Sequence, residues 1–308
     1  MENEIYDIII IGGGAAGLTA ALYSARAGKS VLLLENTSFG GQISYSPEVE
    51  NYPGFKSISG LDFSDRLLSQ AVAAGAKTAF ETALSVKCGE KFKTVTTDSG
   101  EHKCRAVIIA AGLKHRKIGL ENEDRFTGKG ISYCAVCDGS FFKNKRVAVY
   151  GGGNTAIEEA LFLSDICESV TLIHRRSELR ADNAEIKKLE SKENIIYKLD
   201  CTIVSLNGES SLTSVTVKNS KTQKTEELKI SALFTAIGQI PQNEAFKNIV
   251  KLDEYGFIES GEDCKTQTDG IFAAGDCRTK ELRQLTTAVS DGAVAATAAC
   301  KYTDLKNI

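Results

Sequence analysis

The chain has only three prolines and three histidines in 308 residues, and it lacks any long apolar run. Scarce proline excludes a proline-rich linker. The 27 glycines point instead to tight turns and close backbone approaches. A membrane-spanning helix needs roughly 18 consecutive apolar residues, so none is expected. No lysine or arginine precedes Arg26, so no secretory signal is expected either. His102, His115 and His174 are scattered, and only two of the nine cysteines are closely spaced, which argues against a structural metal. An odd cysteine count with one close pair also excludes a secreted disulfide framework, and the expected compartment is the cytoplasm. With 37 basic and 40 acidic residues, net charge is −3, and no basic excess points to nucleic acid or an anionic membrane. What remains is an ordinary globular balance, 42% apolar and 25% charged. At roughly 150 residues per domain, the length suggests two domains.

An internal repeat organises the chain. Asp7–Ile11 is a short apolar run ending in Gly12-Gly13-Gly14-Ala15-Ala16-Gly17. Arg146–Tyr150 is another, 139 residues on, ending in Gly151-Gly152-Gly153-Asn154-Thr155-Ala156. Helical stretches follow, Ala15 to Ala27 closed by Gly28, and Thr155 to about Asp165. Then come β-rich runs, Ser30–Leu34 and Ser169–Ile173. A weaker pair, Val107–Gly112 and Leu233–Gly238, repeats as well. Two strand–glycine loop–helix–strand units predict an α/β protein with two Rossmann-like nucleotide-binding domains and parallel sheets. The loops read GxGxxG (Gly12, Gly14, Gly17) and GxGxxA (Gly151, Gly153, Ala156). The first glycine allows the tight turn. The second lets the backbone touch a pyrophosphate, and the third small residue lets helix and strand pack. The anion then rests on free N–H groups at the helix N-terminus.

The residue closing each second strand chooses the ribose. Glu35, in the first unit, would accept hydrogen bonds from ribose hydroxyls and repel a 2′-phosphate. The matching residue in the second is His174, followed by Arg175 and Arg176, with Arg180 a turn further on. Fixed guanidinium charges without an acid suit a 2′-phosphate. The first unit thus expects FAD or NAD, and the second NADPH. FAD is favoured by Thr268–Asp276, an apolar strand ending in Gly275-Asp276, where Asp276 would bond the flavin ribitol. Arg283–Ala288 then opens an Ala-rich helix through Ala299, whose N-terminus would face the flavin.

Cys134-Ala135-Val136-Cys137-Asp138-Gly139 is the only CxxC. Alone it could be a redox dithiol, half a metal site or coincidence. Beside two nucleotide units it reads as a redox dithiol, with Asp138 placed to move the sulfur protons. The other seven cysteines read as small buried hydrophobes.

Over essentially its full length the chain resembles the low-molecular-weight, bacterial-type thioredoxin reductases. The motifs are GGGAAG at 12–17, GGQ at 40–42, ENYPG at 50–54, CAVCDG at 134–139, GGGNTA at 151–156, HRR with Arg180, and FAAGD at 272–276. The resemblance implies a homodimeric flavoprotein oxidoreductase that carries electrons from NADPH through FAD and a Cys134–Cys137 redox disulfide to thioredoxin. It implies FAD contacts at Gly12, Gly14, Gly17, Glu35, Gly41, Gln42, Asn51, Asp276 and Gln284. It also implies that Cys137 faces the flavin, Cys134 exchanges with thioredoxin, and Asp138 is the acid–base group. Pro241-Gln242-Asn243 departs from the expected adjacent Pro-Asn, and Ser140 is a variant beside the dithiol.

The FAD domain is read as split, 1–115 and 244–308, with the NADPH domain, 116–243, inserted and bearing the dithiol. The crossings, Leu113–Ile118 and Gln239–Asn243, are expected to act as a hinge, because nicotinamide, disulfide and a bulky protein partner must be served in turn. Related flavoprotein reductases differ in donor or acceptor. A ferredoxin-driven form should lack the second fingerprint and its arginines. A peroxiredoxin-serving form would carry an extra redox domain. A ferredoxin–NADP reductase lacks a CxxC, and a sensor without turnover does not need one followed by Asp138.

Overall fold

The computed structural model describes residues 4–46 and 48–306; residues 1–3, on which the no-signal expectation partly rests, lie outside them. In chain order the elements begin with β1 (Ile5–Ile11), α1 (Ala15–Arg26), β2 (Val31–Glu35), α2 (Gly60–Ala73), β3 (Lys77–Phe80), β4 (Ala83–Cys88), β5 (Lys93–Thr97), β6 (Glu101–Ile109) and β7 (Leu113–His115). There follow α3 (Glu123–Phe126), β8 (Ile131–Ser132), α4 (Ala135–Asp138), β9 (Arg146–Gly151), α5 (Asn154–Ser164), β10 (Ser169–Ile173) and α6 (Asn183–Glu190). The remainder are β11 (Ile195–Lys198), β12 (Cys201–Asn207), β13 (Ser214–Asn219), β14 (Thr225–Lys229), β15 (Ala232–Ala236), β16 (Gln239–Pro241), β17 (Ile271–Ala273) and α7 (Leu285–Lys306). Two units emerge. One comprises residues 1–44, 50–114 and 240–308, the other 45–49 and 115–239. None of the described helices is long and apolar enough to cross a membrane.

In the first unit, β3, β2, β1 and β6 lie side by side in parallel, and β17 joins the C-terminal half of β6. β1 is apolar on both faces, as a central parallel strand must be. Ile8 and Ile10 enter one core with Leu33 and Ile108, while Ile9 and Ile11 enter the opposite one with Leu32 and Val107. Each fully buried isoleucine contributes about 1.5–3 kcal/mol. Small residues let α1 and α7 touch backbone to backbone: a Cβ on Gly292 would stand 2.2 Å from the Ala16 carbonyl oxygen.

The second unit repeats the plan with a parallel sheet ordered β11-β10-β9-β15-β8. The weaker repeat also finds its place, β6 flanking β1 and β15 flanking β9. Neither unit is purely parallel, contrary to expectation. β4 and β5 extend the first sheet antiparallel, and β12, β13 and β14 form a separate antiparallel sheet. Short turns dictate this, since a parallel connection needs a crossover of a dozen or more residues. Between β5 and β6 the chain reverses within Asp98-Ser99-Gly100, closed by the Thr97 N–H on the Gly100 carbonyl (2.8 Å). The two crossings pair as β7 and β16. Just beyond β16, buried Asn243 donates to the Gly256 (2.9 Å) and Cys277 (2.8 Å) carbonyls, which gives the shifted asparagine an anchoring role.

Candidate active site

The first glycine loop joins β1 to α1. A Cβ on Gly17 would stand 1.8 Å from the Gly12 oxygen, so only hydrogen fits at that crossing. Gly14 caps α1 without a side-chain bond, leaving first-turn N–H groups uncapped, and open space adjoins it: a Cβ there meets nothing closer than 3.8 Å. Glu35, buried at the end of β2, accepts from the Gly13 N–H through Oε2 (2.7 Å), and from the Asn36 and Thr37 N–H groups through Oε1 (2.9 and 2.8 Å). Gly41, at φ +64°, lies close against Gly14, and Gln42 Nε2 donates to the Leu113 carbonyl. Asn51 donates to Oε1 of Gln284 (3.3 Å), so these two distant residues meet.

Just beyond β17, Gly275 takes φ +77°, and Oδ1 of Asp276 is buried without a partner among the described residues. Burial raises the Asp276 carboxyl, against the pull of Lys280 and Arg283. A support behind this turn was not read from the sequence. Asp291, on α7, accepts from the Gly275 N–H (2.9 Å), from Arg278 Nε and Nη2 (2.8 Å each) and from Lys280 Nζ (2.9 Å). Burial pushes Asp291 up, but its bonds from Arg278 and Lys280 outweigh burial and leave it lowered. The available signal was the one carboxylate in the Ala-rich stretch up to Ala299.

The second loop joins β9 to α5 in the same way. A Cβ on Gly151 would come within 2.3 Å of the Ala236 oxygen and 2.8 Å of the Ala156 Cβ. Gly153 caps α5 without a side-chain bond. Where Glu35 meets Gly13 in the first unit, His174 meets Gly152 in the second: a Cβ there would overlap the imidazole. His174 is buried, its Nε2 is unpartnered, and burial lowers its pKa. The Arg180 N–H donates to the Gly152 oxygen (2.6 Å), so the loop and the arginine segment are tied together. Arg175 and Arg180 are exposed and Arg176 is partly buried; among the described residues none of the three forms an ion pair. Asn154 accepts from the Asp182 N–H (3.0 Å), and Thr155 is exposed.

In the same unit, Cys134 and Cys137 form a disulfide across the single turn of α4, with Cα atoms 5.3 Å apart. Cys134 is the N-cap, and its Sγ accepts from the Cys137 N–H (3.2 Å). Asp138 accepts from Ser132 Oγ (2.7 Å) and Ser46 Oγ (3.1 Å). Burial raises this carboxyl, against the pull of the two hydroxyls. Ser132 also accepts from the Cys134 N–H (3.1 Å), a link absent from the sequence reading. Of the other cysteines, Cys104, Cys167, Cys201, Cys264, Cys277 and Cys300 are buried and Cys88 is exposed.

Residues 6–292 match the family model for pyridine nucleotide-disulphide oxidoreductases. A thioredoxin reductase of Listeria innocua is 43% identical over 98% of this chain and 95% of its own. That of Bacillus subtilis is 41% identical over 98% and 96%. The chain belongs to the thioredoxin reductases among the pyridine nucleotide-disulphide oxidoreductases. Among solved structures, the thioredoxin reductase of Streptococcus pyogenes superposes with a TM-score of 0.93 at 34% identity, covering 99% of this chain and all of that one. This thioredoxin reductase family member is an NADPH-dependent flavoprotein oxidoreductase whose cofactors are FAD and NADPH. Its residues fit both. The uncapped α1, the open edge at Gly14 and the orphaned Asp276 oxygen suit a diphosphate and a polyol, and the uncapped α5 with its unpaired arginines suits a phosphorylated ribose.

Proposed function

We propose that the protein is a thioredoxin-disulfide reductase in which residues 1–115 and 244–308 hold FAD and residues 116–243 hold NADPH. The observation that carries this reading is the disulfide turn, with Asp138 at its end, in the same unit as an intact nucleotide cradle. Gly12, Gly14 and Gly17 seat the FAD diphosphate, Glu35 its ribose, and Gly275-Asp276 its ribitol, with Gly41, Gln42, Asn51 and Gln284 around it. Gly151, Gly153, Asn154, Thr155 and Ala156 seat the NADPH diphosphate, while His174, Arg175, Arg176 and Arg180 surround the 2′-phosphate. Bound together, the two cofactors supply hydride transfer and electron delivery to the disulfide.

The chain's own residues perform the rest. In the reduced pair, the Cys134 thiolate attacks one sulfur of the thioredoxin disulfide, and the other thioredoxin sulfur leaves as a thiolate. The Cys137 thiolate then attacks Cys134 Sγ. This re-forms Cys134–Cys137 and releases thioredoxin with both sulfurs reduced. Asp138, whose carboxyl burial raises above its ordinary value, takes the Cys137 proton and returns one to the leaving sulfur.

The crossings β7 and β16 are the proposed hinge, the working unit is a homodimer, and the compartment is the cytoplasm. An engineered cross-link between the units that left thioredoxin turnover unchanged would remove the hinge. The central test is an anaerobic NADPH titration of the purified flavoprotein. Uptake of about two hydride equivalents per flavin fits flavin and disulfide filling in series. Uptake of about one, with the pair oxidised at the start, disconnects the disulfide from the flavin.

A further inference from the structure

The redox turn is held at both ends by α5. At its far end, a Cβ on Gly139 would meet Leu163 and Phe162 at 3.0 Å each, and Ile166 at 3.2 Å. At its near end, the Ala135 N–H donates to Glu159 Oε1 (3.3 Å). Glu159 lies three residues after Ala156 and four before Leu163, both fully buried, so helical spacing turns its side chain inward with theirs. Its Oε2 is buried with no hydrogen-bond partner.

Among the described residues no cation pairs with this carboxyl. On α5 itself the charged neighbour is Glu158. From α4 come Asp138 and the two cysteines, and β10 and β15 carry no charged residue. Arg146 of β9 is exposed at the far end of its strand, and on α6 Lys188 pairs with Glu185 while Lys187 and Glu190 are exposed. Burial pushes Glu159 up to about 7, against the pull of the Ala135 N–H and with a further push from Glu158.

We propose that Glu159 is a positioning residue for the redox pair, anchoring Ala135 to α5 and coupling its own ionisation to that of the Cys134 thiol. A thiolate at this N-cap draws on the N–H groups of the turn, as Cys134 Sγ already does with Cys137. An ionised Glu159 engages one of those groups and adds a like charge nearby. Its neutral form leaves the thiolate favoured. The coupling is electrostatic, and no proton passes between the two groups.

This rests on Cys134 and Cys137 being the exchanging pair. The test is the rate of iodoacetamide alkylation at Cys134, mapped by mass spectrometry on holoenzyme pre-reduced with NADPH, across about pH 5–9. The wild type is expected to show one ionisation more than Glu159→Gln. The Gln variant should react roughly tenfold faster near neutrality, the size of one partly screened charge interaction. Superimposed wild-type and Gln profiles overturn the proposal. Glu159→Ala then isolates the anchor: a purely structural role changes Ala and leaves Gln like the wild type. If NADPH cannot reduce the pair in the wild type, the disulfide-reductase reading fails instead.

Discussion

Glu35 and His174 stand 139 residues apart at matching places, each against the middle glycine of its loop. One is an acceptor satisfied by backbone N–H groups, the other a buried ring followed by arginines. That contrast predicts how the two sites treat a 2′-phosphate. Replacing Arg175 and Arg176 together with Ala should cost about 1–3 kcal/mol per lost charged contact to NADPH and little to NADH. Steady-state kcat/KM for the two cofactors checks this, and equal losses would refute phosphate recognition. Cys134→Ser should keep NADPH-driven flavin bleaching and abolish thioredoxin reduction, read from both assays on one preparation. Glu35 and the arginines were legible because strand-end position in a repeat defines their surroundings. Glu159 was not. Beside Glu158 it looks like a solvated helix face, and only packing against α4 reveals a buried carboxyl.

Among the elements, tight contacts decide more than propensity. The α1–β1 junction tolerates no side chain at Gly17. Gly17→Ala should therefore part helix and loop and release FAD, measured as the flavin-to-protein ratio after gel filtration. The β17 turn depends on α7 through Asp291. Asp291→Asn keeps the shape but removes the buried partner of Arg278, 1% exposed, leaving only the exposed Glu262 carboxylate at 3.3 Å. The expected loss is about 3–5 kcal/mol in urea unfolding near neutral pH. The sign with pH follows from the lowered Asp291 carboxyl. Its contribution is full above the ordinary aspartate value of 3.8 and fades as pH falls through the lower folded value. The gap between wild type and variant should therefore shrink in acid. An unchanged gap would mean that the carboxylate charge is not what holds the turn. The β1–α1–β2 and β9–α5–β10 units were legible from apolar runs and glycines. The antiparallel β4–β5 and β12–β14 pieces were not, because short strands without a motif look like loops until their partners are known.

At the scale of the whole molecule, the insertion of one unit into the other follows from chain order: β1 and β17 share a sheet although 259 residues of sequence lie between Ile11 and Ile271. The proposed homodimer predicts a sedimentation mass near twice the 33.1 kDa of one chain at micromolar concentration. A monomer that still turns over thioredoxin would remove the dimer from the mechanism.

By itself, the sequence located the two glycine loops and the dithiol turn, because glycine spacing and a CxxC are local properties. It also determined the family, through motifs spread along the whole chain. Tertiary structure alone decided which polar groups are buried and what answers them. Asp291 beneath the Gly275 turn, Ser132 beneath Asp138 and Glu159 beneath Ala135 are brought together from separate elements. The energy of a buried charge depends on those distant neighbours, which no local pattern encodes.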